Sequence, residues 1–241
     1  MLNRQKIKCI LIDLDDTLLT NARLLQPMFV LRAFFRLRPE LGTIAFFKAL
    51  GAMSQARTNT NDLMNHDRFV QAFANATGLS IEESESLFGG KLMQVLESVK
   101  RYFEPIAAGV RFVKEMSEKY PIVLATNPVF PQEITDLRIS WTGLSSKDFV
   151  YITNSQNSHA FKPSTRYYEE ILILLAGQGI SREECLFIGN DDKNDGPAVE
   201  CGITTILVRD QGKPFKMLRN ESERSAALFE GSWDEICRQF T

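Results

Sequence analysis

Cys9-Ile10-Leu11-Ile12-Asp13-Leu14-Asp15-Asp16-Thr17-Leu18-Leu19 is the stretch on which the reading of this chain turns. Four apolar or β-branched residues in a row read as a strand buried on both faces, and the carboxylates follow at its carboxyl end. Open α/β sheets place their chemistry at that end. Alternation along an extended chain puts Asp13 and Asp15 on the same side, where two carboxylates can share one cation. Crowding them without a counter-ion would raise one pKa sharply, so a bound Mg²⁺ is the natural resolution. The same residues could also form a solvated acidic loop, so the decision rests on the rest of the chain.

Outward from this strand the pattern changes. Residues 24–100 carry helical spacing, many large apolar side chains and no convincing strand. Ser80 followed by Glu82, Glu83 and Glu85 marks a helix start with acid in its first turn. From residue 105 onward helix and strand alternate. The spacing predicts helices over 105–119, 131–139, 164–176 and 233–240. Strands are expected at Ile122-Val123-Leu124-Ala125, Phe149-Val150-Tyr151-Ile152, Cys185-Leu186-Phe187-Ile188 and Thr204-Thr205-Ile206-Leu207-Val208. The last two are separated by a short helix, and a weaker strand is expected at 226–229. Such alternation implies right-handed parallel crossovers and an α/β three-layer sandwich around a parallel, Rossmann-like sheet. The economical division is an α/β core made of residues 1–20 and 101–241. A helical cap subdomain, residues 21–100, is then inserted after the first strand, above the strand ends, where it can act as a lid.

Composition excludes several classes. The 241 residues are 44% hydrophobic, enough for a sizeable core, and the formal net charge of −2 gives no general attraction to nucleic acid or membranes. Cys9, Cys185, Cys201 and Cys237 are scattered without a CxxC pair, and the histidines are His66 and His159. Neither a zinc site nor a disulfide framework is expected. No apolar run reaches the length of a membrane span, and the N-terminus lacks the apolar core of a signal peptide. The expected setting is soluble, reducing and cytoplasmic.

Three later strands also end in residues with chemical potential. Ala125-Thr126-Asn127-Pro128 offers a hydroxyl and backbone amides that can cradle a phosphate oxygen, although Thr and Asn before Pro are also ordinary turn formers. Lys162, in His159-Ala160-Phe161-Lys162-Pro163-Ser164, stands at a helix start and can reach inward as a fixed positive charge. Gly189-Asn190-Asp191-Asp192-Lys193-Asn194-Asp195-Gly196 supplies further acids for a metal, or caps a helix.

Acid pair, hydroxyl, lysine and acid cluster, each at a strand end and in this order, resemble the haloacid dehalogenase (HAD) superfamily over essentially the whole chain. Asp13-x-Asp15-x-Thr17 is the first motif, Thr126 the second, Lys162 the third, and Asp191 with Asp195 the fourth. The helical stretch resembles that superfamily's inserted cap. The resemblance implies that Asp13 attacks a phosphomonoester to form an aspartyl-phosphate. Asp15 then protonates the leaving oxygen and activates the hydrolytic water. Mg²⁺ is held by the Asp13 side chain, the Asp15 carbonyl and an acid of the last cluster, while Thr126, Asn127 and Lys162 bind the phosphoryl group. Thr17 orders the turn. The family usually has aspartate directly after the glycine of the fourth motif. Here that position is Asn190, so Asp191 is assigned as metal ligand with Asp195 supporting it, and Asn190 or Asp192 are alternatives.

Asp15 favours phosphoryl transfer over dehalogenation, since dehalogenases of this fold need no such acid and no Mg²⁺. A phosphosugar mutase on the same core and a non-catalytic phosphate-binding regulatory module remain alternatives. Phosphonate hydrolysis would require a cap lysine such as Lys48, Lys91 or Lys100. The expected substrate is a small phosphorylated metabolite, with no nucleic acid and no stable membrane association, and the protein is a monomer or homodimer. In the lid, Arg57-Thr58-Asn59-Thr60-Asn61-Asp62 with Asn65, His66 and Arg68 could face the site. Arg57 or Arg68 would then meet a polar group of the substrate. Between Met28 and Leu50, phenylalanines alternate with arginines, consistent with cap-core packing or with an exposed apolar face.

Overall fold

The computed structural model describes residues 2–21, 25–58, 61–221 and 226–240. Its strands are β1 (Cys9–Ile12), β2 (Leu19–Asn21), β3 (Phe103–Pro105), β4 (Ile122–Leu124), β5 (Tyr151–Ile152), β6 (Cys185–Gly189), β7 (Thr204–Arg209), β8 (Lys216–Glu221) and β9 (Ala226–Ser232). Its helices are α1 (Leu25–Ala56), α2 (Asn65–Thr77), α3 (Ile81–Ser86), α4 (Leu92–Val99), α5 (Ala107–Met116), α6 (Gln132–Trp141), α7 (Thr165–Ala176) and α8 (Trp233–Arg238).

Seven strands form one sheet in the order β5-β4-β1-β6-β7-β9-β8. Every neighbouring pair is parallel except β8 with β9. All four β1 residues are buried, as a central parallel strand requires. Alternation sorts them between two cores. Ile10 and Ile12 join Phe112 and Val113 of α5, Ile134 of α6 and Trp233 of α8 on one face. Cys9 and Leu11 join Tyr168, Ile171 and Leu175 of α7 on the other. This is the expected three-layer α/β sandwich. β1 lies between β4 and β6, where the connections leave in opposite directions, which opens a crevice at the strand ends.

Several boundaries differ from the sequence reading. Pro105 ends β3 instead of opening a helix, and α5 begins at Ala107. The strand expected at 149–152 shrinks to Tyr151–Ile152, and the one at 226–229 grows to Ala226–Ser232. The short helix before β7 is a 3-10 segment, Gly196–Cys201. β8 has no counterpart in the sequence reading: it is an edge strand, almost wholly exposed, and carries no buried alternation to reveal it.

The described elements between 25 and 99 are all helices, α1 to α4, with a π-type turn at Leu87–Lys91. Ser80 and Glu83 form a reciprocal capping box that starts α3. α1 is two arms joined at Gly42, whose φ of 73° and ψ of 169° are not helical. The arms fold together, with the Phe34 ring 5.3 Å from Phe46 and 5.8 Å from Phe47. Both passages between this helical part and the core run through a two-stranded antiparallel ribbon, in which Leu19 faces Pro105 and Asn21 faces Phe103.

Candidate active site

The β1 end is held on both sides. The Asp13 amide donates to the Ile188 carbonyl (2.9 Å) and the Ala125 amide to the Ile12 carbonyl (2.8 Å). The chain then turns tightly, with the Leu18 and Leu19 amides both donating to the Leu14 carbonyl (2.9 Å each). Asp16 takes a left-handed φ of 54°, and its carboxylate accepts from the Asn21 amide at 2.8 Å. These bonds fix the two carboxylates that the sequence singled out.

Lys162 is buried between two acids. Its Nζ donates to Asp13 Oδ1 and to Asp195 Oδ1, each at 2.7 Å, and lies 4.9 Å from the centre of the Phe187 ring. Burial opposes the ammonium charge, but the Asp13 and Asp195 carboxylates outweigh it and hold the Lys162 pKa well above its ordinary value. Asp13 moves the opposite way. Burial, helped by the charges of Asp195 and Asp15 and opposed by Lys162, pushes its pKa up to about 7. Two buried carboxylates against one ammonium leave a net negative charge.

Asp195 closes the loop after β6 as well. Its Oδ2 accepts from the Asn190 amide (2.9 Å) and the Asp191 amide (3.0 Å). Asp191 serves its own turn: Oδ1 accepts from the Lys193 and Asn194 amides (2.8 and 3.1 Å) and Oδ2 from Asn194 Nδ2 (2.7 Å). Burial opposes its charge, but these donors keep its pKa below the ordinary value. Asn190 instead reaches the first loop, its Oδ1 accepting from the Thr17 hydroxyl at 3.1 Å. Asp192 is exposed and pairs with Arg209 at 2.7 Å.

The Thr126 carbonyl is fixed by the hydroxyls of Thr153 (2.7 Å) and Tyr167 (2.9 Å). Thr126 Oγ1 and Asn127 Oδ1 are buried without a hydrogen-bond partner among the described residues. Buried polar atoms in native proteins are rarely left so, and an open hydroxyl here suits a ligand oxygen.

Two functional side chains escaped the sequence reading. Arg138 of α6 is 4% exposed and forms an ion pair with Asp15 Oδ1, which also accepts from Asn21 Nδ2 at 3.1 Å. The guanidinium lies 5.7 Å from the Phe103 ring centre and 5.4 Å from that of Phe130. Arg209, at the end of β7, donates to the Asn190 carbonyl (3.0 Å) and so steadies the fourth-motif loop.

Among the helical-part residues nominated for substrate contact, Arg68, Asn65 and His66 bond to backbone carbonyls. Arg68 donates to the carbonyls of Leu63 (3.0 Å), His159 (2.6 Å) and Ala56 (3.4 Å) and to Asn61 Oδ1 (3.0 Å). The Asn65 and His66 amides donate to the Ser158 and Ser155 carbonyls (2.9 and 2.8 Å), so α2 docks by its first turn onto the loop that leads to Lys162. Arg57 lies over the Phe161 ring at 5.8 Å, and Asn59 and Thr60 lie outside the described residues.

A family model, haloacid dehalogenase-like hydrolase, matches residues 7–201. The chain belongs to that family. Among solved structures, this HAD-like hydrolase is similar to a HAD phosphatase from Thermococcus onnurineus, at 18% identity and a TM-score of 0.60 over 97% of this chain and 98% of that one. It is also similar to a 2-haloacid dehalogenase from Pseudomonas syringae pv. Tomato DC3000, at 16% identity and a TM-score of 0.59 over 98% and 100%. A HAD-hydrolase from Bacillus subtilis, described as bound to magnesium, matches at 16% identity and a TM-score of 0.54 over 98% and 99%. No curated protein matches the chain. At these identities the likeness is one of fold.

The HAD-like site suits a divalent cation by its charge. The buried excess of carboxylate around Asp13 is what a cation relieves, and Mg²⁺ takes one or two carboxylates with carbonyl and water oxygens. The described residues contain no group of three or more acid, histidine or cysteine side chains that could hold a metal ion.

Proposed function

We propose that this HAD-like hydrolase is a Mg²⁺-dependent phosphatase acting on a small phosphomonoester through an aspartyl-phosphate. The observation that carries the reading is the pair of distinct carboxylates: Asp13 buried against Lys162, and Asp15 half-exposed and held by Arg138. This difference supports reading one as the nucleophile and the other as the acid and base.

An Asp13 carboxylate oxygen attacks phosphorus as the bond to the leaving oxygen breaks, and Asp15 gives that oxygen its proton. The bonds from Arg138 and Asn21 fall on Oδ1 of Asp15, which leaves Oδ2 to carry the proton. In the second half the Asp15 carboxylate takes a proton from water. The water oxygen displaces Asp13 from phosphorus, which releases phosphate and restores both acids. Lys162 offsets repulsion between Asp13 and the incoming dianion, and Thr126 donates to a phosphoryl oxygen. The residues that would hold Mg²⁺ are Asp13, the Asp15 carbonyl and either Asp191 or Asn190, the first engaged in its own turn and the second accepting from Thr17. The ion supplies positive charge opposite the phosphoryl oxygens. In this reading residues 21–100 serve as the lid, which meets the core where α2 bonds to the 155–161 loop.

The test is hydrolysis of p-nitrophenyl phosphate with and without Mg²⁺, for the parent and for Asp13→Asn, with 2-chloropropionate as a control substrate. Metal-dependent phosphate release that vanishes in Asp13→Asn is the expected result. Chloride release without metal would replace this reading by dehalogenation.

A further inference from the structure

An apolar cavity of about 450 Å³ lies inside the helical part and reaches Val129 and Phe130 of the core. Phe29 and Phe46, from the two arms of α1, and Phe69 and Phe73 of α2 form its walls. Its core-side rim is made by Val129 and Phe130. A void of this size is in the range of ligand pockets and far larger than the gaps that a packed interior leaves.

The rim ties the cavity to the catalytic groups in three places. Val129 and Phe130 follow directly on the Thr126-Asn127-Pro128 turn, and the Val129 amide donates to the Asn127 carbonyl at 2.8 Å. The Phe130 ring carries the Arg138 guanidinium, which holds Asp15. Phe69 of the cavity wall packs on Phe161, the neighbour of Lys162, with ring centres 5.5 Å apart. Asp15 is the acid that serves the leaving oxygen, and the Arg138 that holds it lies on Phe130 of the cavity rim, so the cavity neighbours the group that the leaving oxygen meets. Polar selectors for a sugar-like alcohol are few: Arg68 is occupied with carbonyls, and among the described lining residues only Gln26, Ser54 and Arg57 are polar against fifteen apolar ones.

The geometry points to a phosphomonoester of an apolar, chain-like alcohol as the substrate, with the chain in this cavity and the phosphate between Lys162 and Thr126. The inference rests on the phosphatase reading for the chemistry, while the chain site itself is open to a binding measurement. Arg57 over Phe161 sits where the chain meets its polar head.

The experiment is calorimetric titration of the Mg²⁺-loaded protein with alkylphosphonates from ethyl to octyl, all below their aggregation concentrations. Kd is expected to fall about two- to fourfold per methylene, with a binding heat capacity that grows more negative along the series. Ala33→Phe and Val30→Trp, which fill the cavity from α1, should bring the ratio of ethyl to octyl Kd toward one. That ratio is unaffected by a partial loss of folded protein. Equal Kd for ethyl and octyl, or an octyl advantage that survives both substitutions, overturns the inference. Turnover of p-nitrophenyl phosphate is scored separately. A chain-length gradient without turnover upholds the cavity site and removes the phosphatase reading, and turnover with a flat gradient does the reverse.

Discussion

Single side chains decide whether this site can work, and two of them give sharp tests. A Cβ on Gly189 would stand 2.3 Å from Asp195 Oδ2, so Gly189→Ala must displace the carboxylate that holds both Lys162 and the Asn190 amide. We expect Gly189→Ala to lower stability by about 1–3 kcal/mol, the range for an overfilled core, and to remove phosphatase turnover. Thermal unfolding and the p-nitrophenyl phosphate assay check both. Arg138 acts through Asp15, so its effect should depend on how much help the leaving group needs. Arg138→Met should lower kcat about 10²-fold or more for an alkyl phosphate, whose leaving oxygen must be protonated, and far less for p-nitrophenyl phosphate. Arg138→Lys should recover part of the difference, and equal losses on both substrates would assign Arg138 to packing alone. Asp13 and Thr126 stood out in the sequence because each closely follows a run of strand residues, and Lys162 because it precedes Pro163 at a helix start. Arg138 looked like any helix-surface charge. Its cue was spacing: Ile134, Arg138 and Trp141 share the buried face of α6, so a charged residue stands in an apolar stripe.

Elements were legible in proportion to how local their pattern is. The core strands announced themselves as short apolar runs, and residues 24–100 as helix. β2 and β3 did not, because each is three residues long and its partner lies some eighty residues away in sequence. The bend in α1 also escaped notice, since Pro39 and Gly42 sit within a continuous helical pattern. Gly42 occupies a backbone region that is nearly closed to side-chain-bearing residues. Gly42→Ala should therefore cost about 1–3 kcal/mol. The midpoint of thermal unfolding should fall by several degrees through backbone strain alone, because nothing lies within 4 Å of the added carbon. Loosening of the two arms would appear as faster amide exchange in α1 with the sheet unchanged.

At the scale of the whole molecule the sheet order gathers distant residues at one end of β1, and the charge it gathers there should govern the pH dependence of folding. The Asp13 pKa rises from 3.8 to about 7 in the folded, metal-free protein. Between those values the folded state holds a proton that the unfolded chain has released, so the contribution of Asp13 to stability is full below about pH 4 and is lost as pH rises through 7. Lys162 stays charged in both states across this window and adds no slope. In the presence of a chelator the parent should lose up to a few kcal/mol from this group between about pH 5 and pH 8. Asp13→Asn should show a shallower slope, and saturating Mg²⁺ should raise the parent's midpoint more at pH 8 than at pH 5. Identical slopes in parent and variant would refute the assignment. The paired ribbon carries a consequence of another kind. The chain leaves the core at Asn21 and re-enters beside it at Phe103, the adjacent sockets that a plugged-in cassette would need. Such a cassette can be exchanged or reshaped over generations while the sheet beneath it is inherited intact, so selectivity and chemistry are free to evolve on separate schedules.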